Sequence, residues 1–234
     1  MSSRVTWFLL SIALVAASPR DALAQQLDTP DTTAIIRQIS TENHGGQFHV
    51  AALAIYRFPG IPERIVVVRV GGDLTRILAY ALGTRVRSAP FYDSGYPNDE
   101  CGGPDISVTD VRLQYLLDRP LVVLEERRSN PGCVGEATTV RVTSRFYDVR
   151  RGLRKVLEVE TEVIDYGNPE DAPARVPVYR HTLLFPNGCA VLETTCHYLS
   201  AFTLSSDRHY RPRYIGYSWN ADSTALIGMP SGLR

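Results

Sequence analysis

Five histidines, four cysteines, clustered carboxylates and one stretch of interleaved tyrosines and arginines are the residues of this chain whose types could do chemistry. The histidines are His44, His49, His181, His197 and His209. An imidazole titrates near neutrality and serves as a general base or metal ligand. A site could be assembled from these rings with Glu193, Asp207 or Asp93, but nothing in their spacing forces them together. Structural histidines are therefore the expectation.

The acids gather at Asp165, Glu170 and Asp171 and again at Asp99, Glu100 and Asp105. Paired carboxylates can hydrolyse glycosides or hold calcium. Neither group alternates acids with glycine as a calcium loop does, so solvated loops are expected and no metal is assigned. Gly71-Gly72-Asp73 could present backbone amides to an anion, but Asp73 would set negative charge against it. The chain contains no G-x-S-x-G elbow, H-E-x-x-H helix, G-K-[ST] phosphate loop or G-x-G-x-x-G fingerprint. No cofactor is implied.

The most suggestive pattern is aromatic. Tyr210, Arg211, Arg213, Tyr214, Tyr217 and Trp219 mix ring faces with guanidiniums. Such a set can stack on and hydrogen-bond to a small polar ligand, a glycan or a protein surface. It is the candidate binding surface. A second aromatic and acidic stretch, Pro90 to Pro104, reads as a surface loop whose rings cover the core edge.

Cys101, Cys133, Cys189 and Cys196 all follow an N-terminal segment that reads as an export signal. Arg4 precedes an apolar run from Trp7 to Ala17, and Ala22-Leu23-Ala24 supplies a small-residue cleavage site before Gln25. The run is too short for a membrane span, which needs about 20 residues. Residues 1–24 are thus a signal peptide, and 25–234 are expected to form a single secreted or periplasmic domain. No later apolar stretch is long enough to be a transmembrane segment. An oxidising compartment makes two disulfides the default, with Cys101 to Cys133 and Cys189 to Cys196 closing the shortest loops. Were residues 189 to 196 one straight strand, about 3.3 Å per residue would hold the last pair far apart. The local pairing therefore requires a bend at Glu193-Thr194-Thr195.

Basic and acidic residues number 25 each, and loss of Arg4, Arg20 and Asp21 with the signal leaves 23 against 24. That balance gives no long-range attraction for nucleic acid. Lys155 is the only lysine.

The elements that must position these residues are mostly strands. Phe48 to Phe58 and Arg64 to Val70 are rich in β-branched residues and flank the turn Pro59-Gly60-Ile61-Pro62. Leu74, Ile77, Leu78, Ala81 and Leu82 recur at helical spacing between Asp73 as N-cap and Gly83 as stop, predicting a helix. Asp31 to Thr41 predicts a second, short one. Thr138 to Asp148 and Arg154 to Asp165 alternate in period two. Residue numbers summing to 303 bring Ser144 opposite Val159 and Phe146 opposite Leu157, with Arg151-Gly152 as the loop. Pro186-Asn187-Gly188 marks a further hairpin, and the Tyr-rich tail from Tyr210 is expected to wrap the surface.

These elements predict an α+β fold, a mainly antiparallel sheet with one or two short covering helices. An all-β sandwich or open barrel is the alternative. The functional expectation is an exported, non-enzymatic binding or scaffold protein. The rival is a small secreted hydrolase with a His/acid site that no sequence motif reveals.

Overall fold

The computed structural model describes residues 37, 49–71, 76–83, 89–95, 104–116, 119–130, 138–167, 175–184, 190–200 and 203–230. Within them the strands are β1 (His49–Tyr56), β2 (Arg64–Gly71), β3 (Arg76–Leu82), β4 (Tyr92–Asp93), β5 (Asp105–Leu116), β6 (Arg119–Asn130), β7 (Thr139–Asp148), β8 (Arg154–Asp165), β9 (Val176–Leu184), β10 (Ala190–Leu199), β11 (Leu204–Ser206), β12 (Arg213–Trp219) and β13 (Leu226–Pro230). Every pairing is antiparallel. A four-stranded sheet runs β1-β2-β3-β4, and a nine-stranded sheet runs β13-β12-β10-β9-β8-β7-β6-β5 with β11 beside β10. Among the described residues the fold is all-β apart from Arg37, which is helical, and this corrects the α+β expectation and lies nearer its open-barrel alternative.

The overturned helix is instructive. Residues 76–82 form β3, paired with β2 so that Val66 faces Tyr80 and Val68 faces Leu78. All of Ile77 to Leu82 is buried. Ile77, Ala79 and Ala81 face the larger sheet, packing with Ile106, Val122, Leu124 and Tyr147. Leu78, Tyr80 and Leu82 cluster on the opposite side with Ile55, Val66, Val68 and Val70. A strand apolar on both faces imitates helical spacing, because a solid apolar run satisfies either period. Asp73 lies outside the described residues, as do the expected Asp31 to Thr41 helix, apart from Arg37, and residues 1–24.

The nine-stranded sheet must also bury both faces at its centre. Leu121, Val122, Val123 and Leu124 of β6 are each 0 % exposed. Val122 and Leu124 pack toward the small sheet. Leu121 and Val123 turn the other way, into a cluster with Leu116, Phe146, Leu157, Val159, Ala190, Leu192 and Leu226. That cluster draws residues from strands across the whole sheet, so the sheet is curled around it. The curl is fastened at one end by the connection between β12 and β13. Arg119 of β6 stacks 4.1 Å over the Trp219 ring and donates a 2.9 Å hydrogen bond to the Ser223 carbonyl. Arg151 donates to the Asp222 carbonyl at 3.2 Å. β13 reaches β8 without pairing with β5, so the barrel stays open. At Gly228 a Cβ would come within 3.2 Å of the Tyr217 ring and 3.3 Å of Ile215, so the bare backbone of β13 is what admits both side chains. The Tyr-rich tail is therefore part of the sheet and does not wrap its surface.

The β7–β8 hairpin keeps the 303 register only at its centre, where Ser144 pairs with Val159 and Phe146 with Leu157. Bulges between Val142 and Thr143 and between Phe146 and Tyr147 shift both ends. The connection is a 3₁₀ turn over Val149–Arg151, followed by Gly152 at φ 68° and Leu153 at φ 61°. Arg145 meets Glu158 at 3.2 Å, Arg141 reaches Glu160 at 2.6 Å and Glu162 goes to Arg180 at 3.1 Å.

Cysteine pairing is corrected as well. Cys196 is a free thiol, buried at 5 % exposure, with its Sγ 3.7 Å from the His197 carbonyl. β10 runs unbent through Glu193-Thr194-Thr195, paired with β9 from Val191 to Leu199. Among the described residues there is no disulfide, and Cys101, Cys133 and Cys189 lie outside them. Burial pushes the Cys196 thiol above its ordinary value, with Asp207 adding to the effect. Cys196 should therefore resist thiol reagents in the native protein and label fully once the unreduced chain is unfolded. Peptide mapping reads this, and a disulfide-linked Cys196 peptide would contradict it.

Candidate functional site

Away from the fastened end, the curl opens into a cavity of about 370 Å³. Its wall comes from strands far apart in sequence: Arg112 and Gln114 of β5, Ser144 and Phe146 of β7, Val159 and Thr161 of β8, and His181, Thr182 and Leu183 of β9. On β5, β7 and β8 the lining residues are two apart, as side chains on one face of a strand must be, while β9 contributes three in succession. Phe146, Val159 and Leu183 belong to the apolar cluster and form the floor. Polar groups rim it.

Two of those polar groups stand out. Ser144 is 1 % exposed, and its Oγ is buried with no hydrogen-bond partner. A buried hydroxyl left unsatisfied costs about 1–3 kcal/mol, so its presence on an apolar face asks for a reason. His181 is half-buried, with Nδ1 2.9 Å from Thr194 Oγ1. Burial holds its imidazole below the ordinary value, outweighing the opposing pull of Glu160. Thr194 holds the ring through Nδ1, and Nε2 is the nitrogen left for a ligand. Thr161 spends its hydroxyl on the Val142 carbonyl at 3.2 Å, and Arg112 is engaged by Asp110 at 2.6 Å.

Ser144 and His181 do not form a nucleophile and base. Ser144 Oγ bonds to nothing. Ser144 pairs with Val159, while His181 sits one position beyond the Glu162 and Arg180 pair of β8 and β9. Two strand spacings of about 4.8 Å and two residues of about 3.3 Å separate them.

No known protein family, characterised protein or solved structure matches this chain. The site's meaning rests on its own geometry.

The expected Tyr/Arg surface is divided by the strand it occupies. On β12, Tyr217 and Trp219 turn inward and pack on the apolar cluster. Tyr214 points the other way and donates a 3.1 Å hydrogen bond to Glu193, which raises its phenol above the ordinary value. Arg211 and Arg213 are exposed, and Tyr210 meets Tyr179 edge-on at 6.2 Å between centroids. The six residues thus do not converge on one ligand. Of the histidines, His197 approaches Thr195 Oγ1 at 3.3 Å and His209 is exposed in a turn. His44 lies outside the described residues, and for His49 only the backbone is described. Among the described residues no His, Cys, Asp or Glu cluster could hold a metal ion, and no helix is long and apolar enough to cross a membrane.

The cavity was missed in the sequence because its signal is an exception to a pattern. Ser144 and Thr161 are the polar interruptions of otherwise apolar rows, and only the curl shows that the rows face a void.

Because the folded His181 sits below the 6.5 of a free imidazole, the unfolded chain takes up its proton more readily. The stability that neutral His181 contributes is thus complete above that value and is lost as pH falls below it. NMR titration of the imidazole should place His181 below an unfolded-chain histidine, and His181→Gln should flatten the acid decline. Titration at or above the free value would contradict this.

Proposed function

We propose that the chain is a binding protein that holds one small amphipathic molecule in the mouth of its curled sheet. The observation that carries this reading is the Ser144 hydroxyl, buried without a partner beside an apolar floor. A ligand oxygen would satisfy it while the ligand's body covers Phe146, Val159 and Leu183. Small-molecule sites are mostly apolar with a few convergent polar groups, and the mouths of β-barrels are a common place for them. At about 30 Å³ per water-sized volume, the cavity holds about a dozen non-hydrogen atoms. That is the size of a medium-chain acid or alcohol. Arg112, Gln114 and His181 at the rim would face its polar head. We assign this activity to the exported domain, on the strength of the apolar run Trp7 to Ala17 and the Ala22-Leu23-Ala24 site.

The hydrolytic reading draws on one specific observation, a half-buried His181 held by Thr194 at the cavity. It lacks an assembled nucleophile, and the carboxylates of the neighbouring strand β8 are engaged elsewhere, Glu160 by Arg141 and Glu162 by Arg180. A single set of measurements separates the two. Decanoate and decanol should bind saturably by calorimetry. Ser144→Ala should weaken binding about 5- to 10-fold, the worth of one hydrogen bond. The same variant should melt at the same or a higher temperature, since it removes an unsatisfied buried group. Absence of binding, or equal loss of binding and stability, would overturn the proposal. Turnover of p-nitrophenyl decanoate that disappears in His181→Gln would establish the hydrolase instead.

A further inference from the structure

A second cavity, of about 310 Å³, opens on the other side of the larger sheet where the small sheet meets it. Its lining is charged: Asp93, Glu126, Arg128, Arg145, Lys155 and Glu158 among rings of Phe91, Tyr92 and Tyr147. The centre is Glu126, only 2 % exposed, which accepts a hydrogen bond from the Tyr92 hydroxyl. Two guanidiniums share that one carboxylate. Arg128 Nε lies 3.4 Å from Oε1 and Arg145 Nη1 lies 3.2 Å from Oε2. Both are within ion-pair range but outside hydrogen-bond geometry, so both nitrogens are buried and unbonded. With Ser144 Oγ they make up the unsatisfied buried side-chain atoms of the described residues.

The remaining contacts leave a surplus of positive charge. Asp93 is taken by Arg76 at the cavity edge, and that hydrogen bond holds its carboxyl below the ordinary value despite burial. Burial pushes the Glu158 carboxyl up, but Lys155 at 2.7 Å and Arg145 at 3.2 Å outweigh it and lower it. Glu126 and Glu158 therefore face Arg128, Arg145 and Lys155, two anions against three cations. Arg128 also donates through Nη2 to the Ser94 carbonyl at 3.3 Å. Arg128 Nη1 and Arg145 Nη2 bond to no described residue. The Tyr92 ring backs the Arg145 guanidinium at 5.3 Å.

We propose that this junction cavity is a second site, independent of the barrel mouth, which binds a small oxyanion, a phosphate or carboxylate group, between Arg128, Arg145 and Lys155. Guanidiniums are suited to paired hydrogen bonds with such groups. A bound anion would neutralise the surplus and compete with Glu158 for Lys155 and Arg145. Opposite signs for two exposed neighbours follow from that competition.

Calorimetric titration of the full chain with inorganic phosphate and with succinate tests this. At least one should bind saturably at millimolar concentration, and which one does so names the head group. Lys155→Gln should weaken binding about tenfold, as loss of a charge-assisted hydrogen bond does. Glu158→Gln should tighten it several-fold, because it removes the competing carboxylate. Both side chains are about half exposed, so both variants should fold, and binding should weaken with added salt. No saturable binding by either anion would overturn the proposal. So would an unchanged affinity in Lys155→Gln, or two variants that shift affinity in the same direction.

Discussion

The central strands of the larger sheet carry apolar side chains on both faces, and this constraint shapes the rest of the molecule. An antiparallel sheet commonly leaves one face to water. Here β6 cannot, because Leu121 and Val123 on one side are as fully buried as Val122 and Leu124 on the other. Each such side chain is worth roughly 1.5–3 kcal/mol when buried. The small sheet covers one face. The other is covered by the sheet's own far end, and that requires β12 and β13 to bend back until Trp219 lies beneath Arg119. Closure at that end leaves an opening at the other, so the mouth is a consequence of how the sheet hides its second face.

The two cavities are the two places where this arrangement is incompletely satisfied. Along the curl, the apolar cluster ends at Ser144, whose hydroxyl has nothing to bond. At the junction between sheets, Glu126 anchors Tyr92 of the small sheet to Arg128 and Arg145 of the large one. Exposed ion pairs such as Arg141 with Glu160 add little to stability. A buried carboxylate is different, since losing a partner strands a charge in the interior. Burial also pushes the Tyr147 phenol beside it far above its ordinary value, outweighing the opposing effect of Arg145. The junction cluster thus both joins the sheets and leaves cationic groups facing a void.

Much of the fold was legible, and the failures have a common cause. Alternation fixed the centre of the β7–β8 hairpin, where parity alone selects the pairing of Ser144 with Val159. It could not reveal the bulges, because a bulge answers to the twist the sheet must adopt and leaves no mark on local composition. The β3 helix was wrong because burial on both faces erases periodicity. The disulfide expectation followed from an inferred compartment, and the unbroken strand β10 overrides it for Cys196. The Tyr/Arg surface was grouped by closeness in sequence, yet Tyr214 and Trp219 are five residues apart on a strand and so face opposite ways. The site residues come from β5, β7, β8 and β9, and only a curved sheet brings them together.

The central claim is that the barrel mouth, floored by Phe146 and Leu183, holds an amphipathic ligand. Nuclear Overhauser contacts between decanoate and the assigned protein test it most directly. The claim predicts contacts from the decanoate chain to the Phe146 ring and the Leu183 and Val159 methyls, with the carboxylate end nearest Ser144. Contacts confined to the outward-facing Tyr214 and Ile227, with none to Phe146, would contradict it.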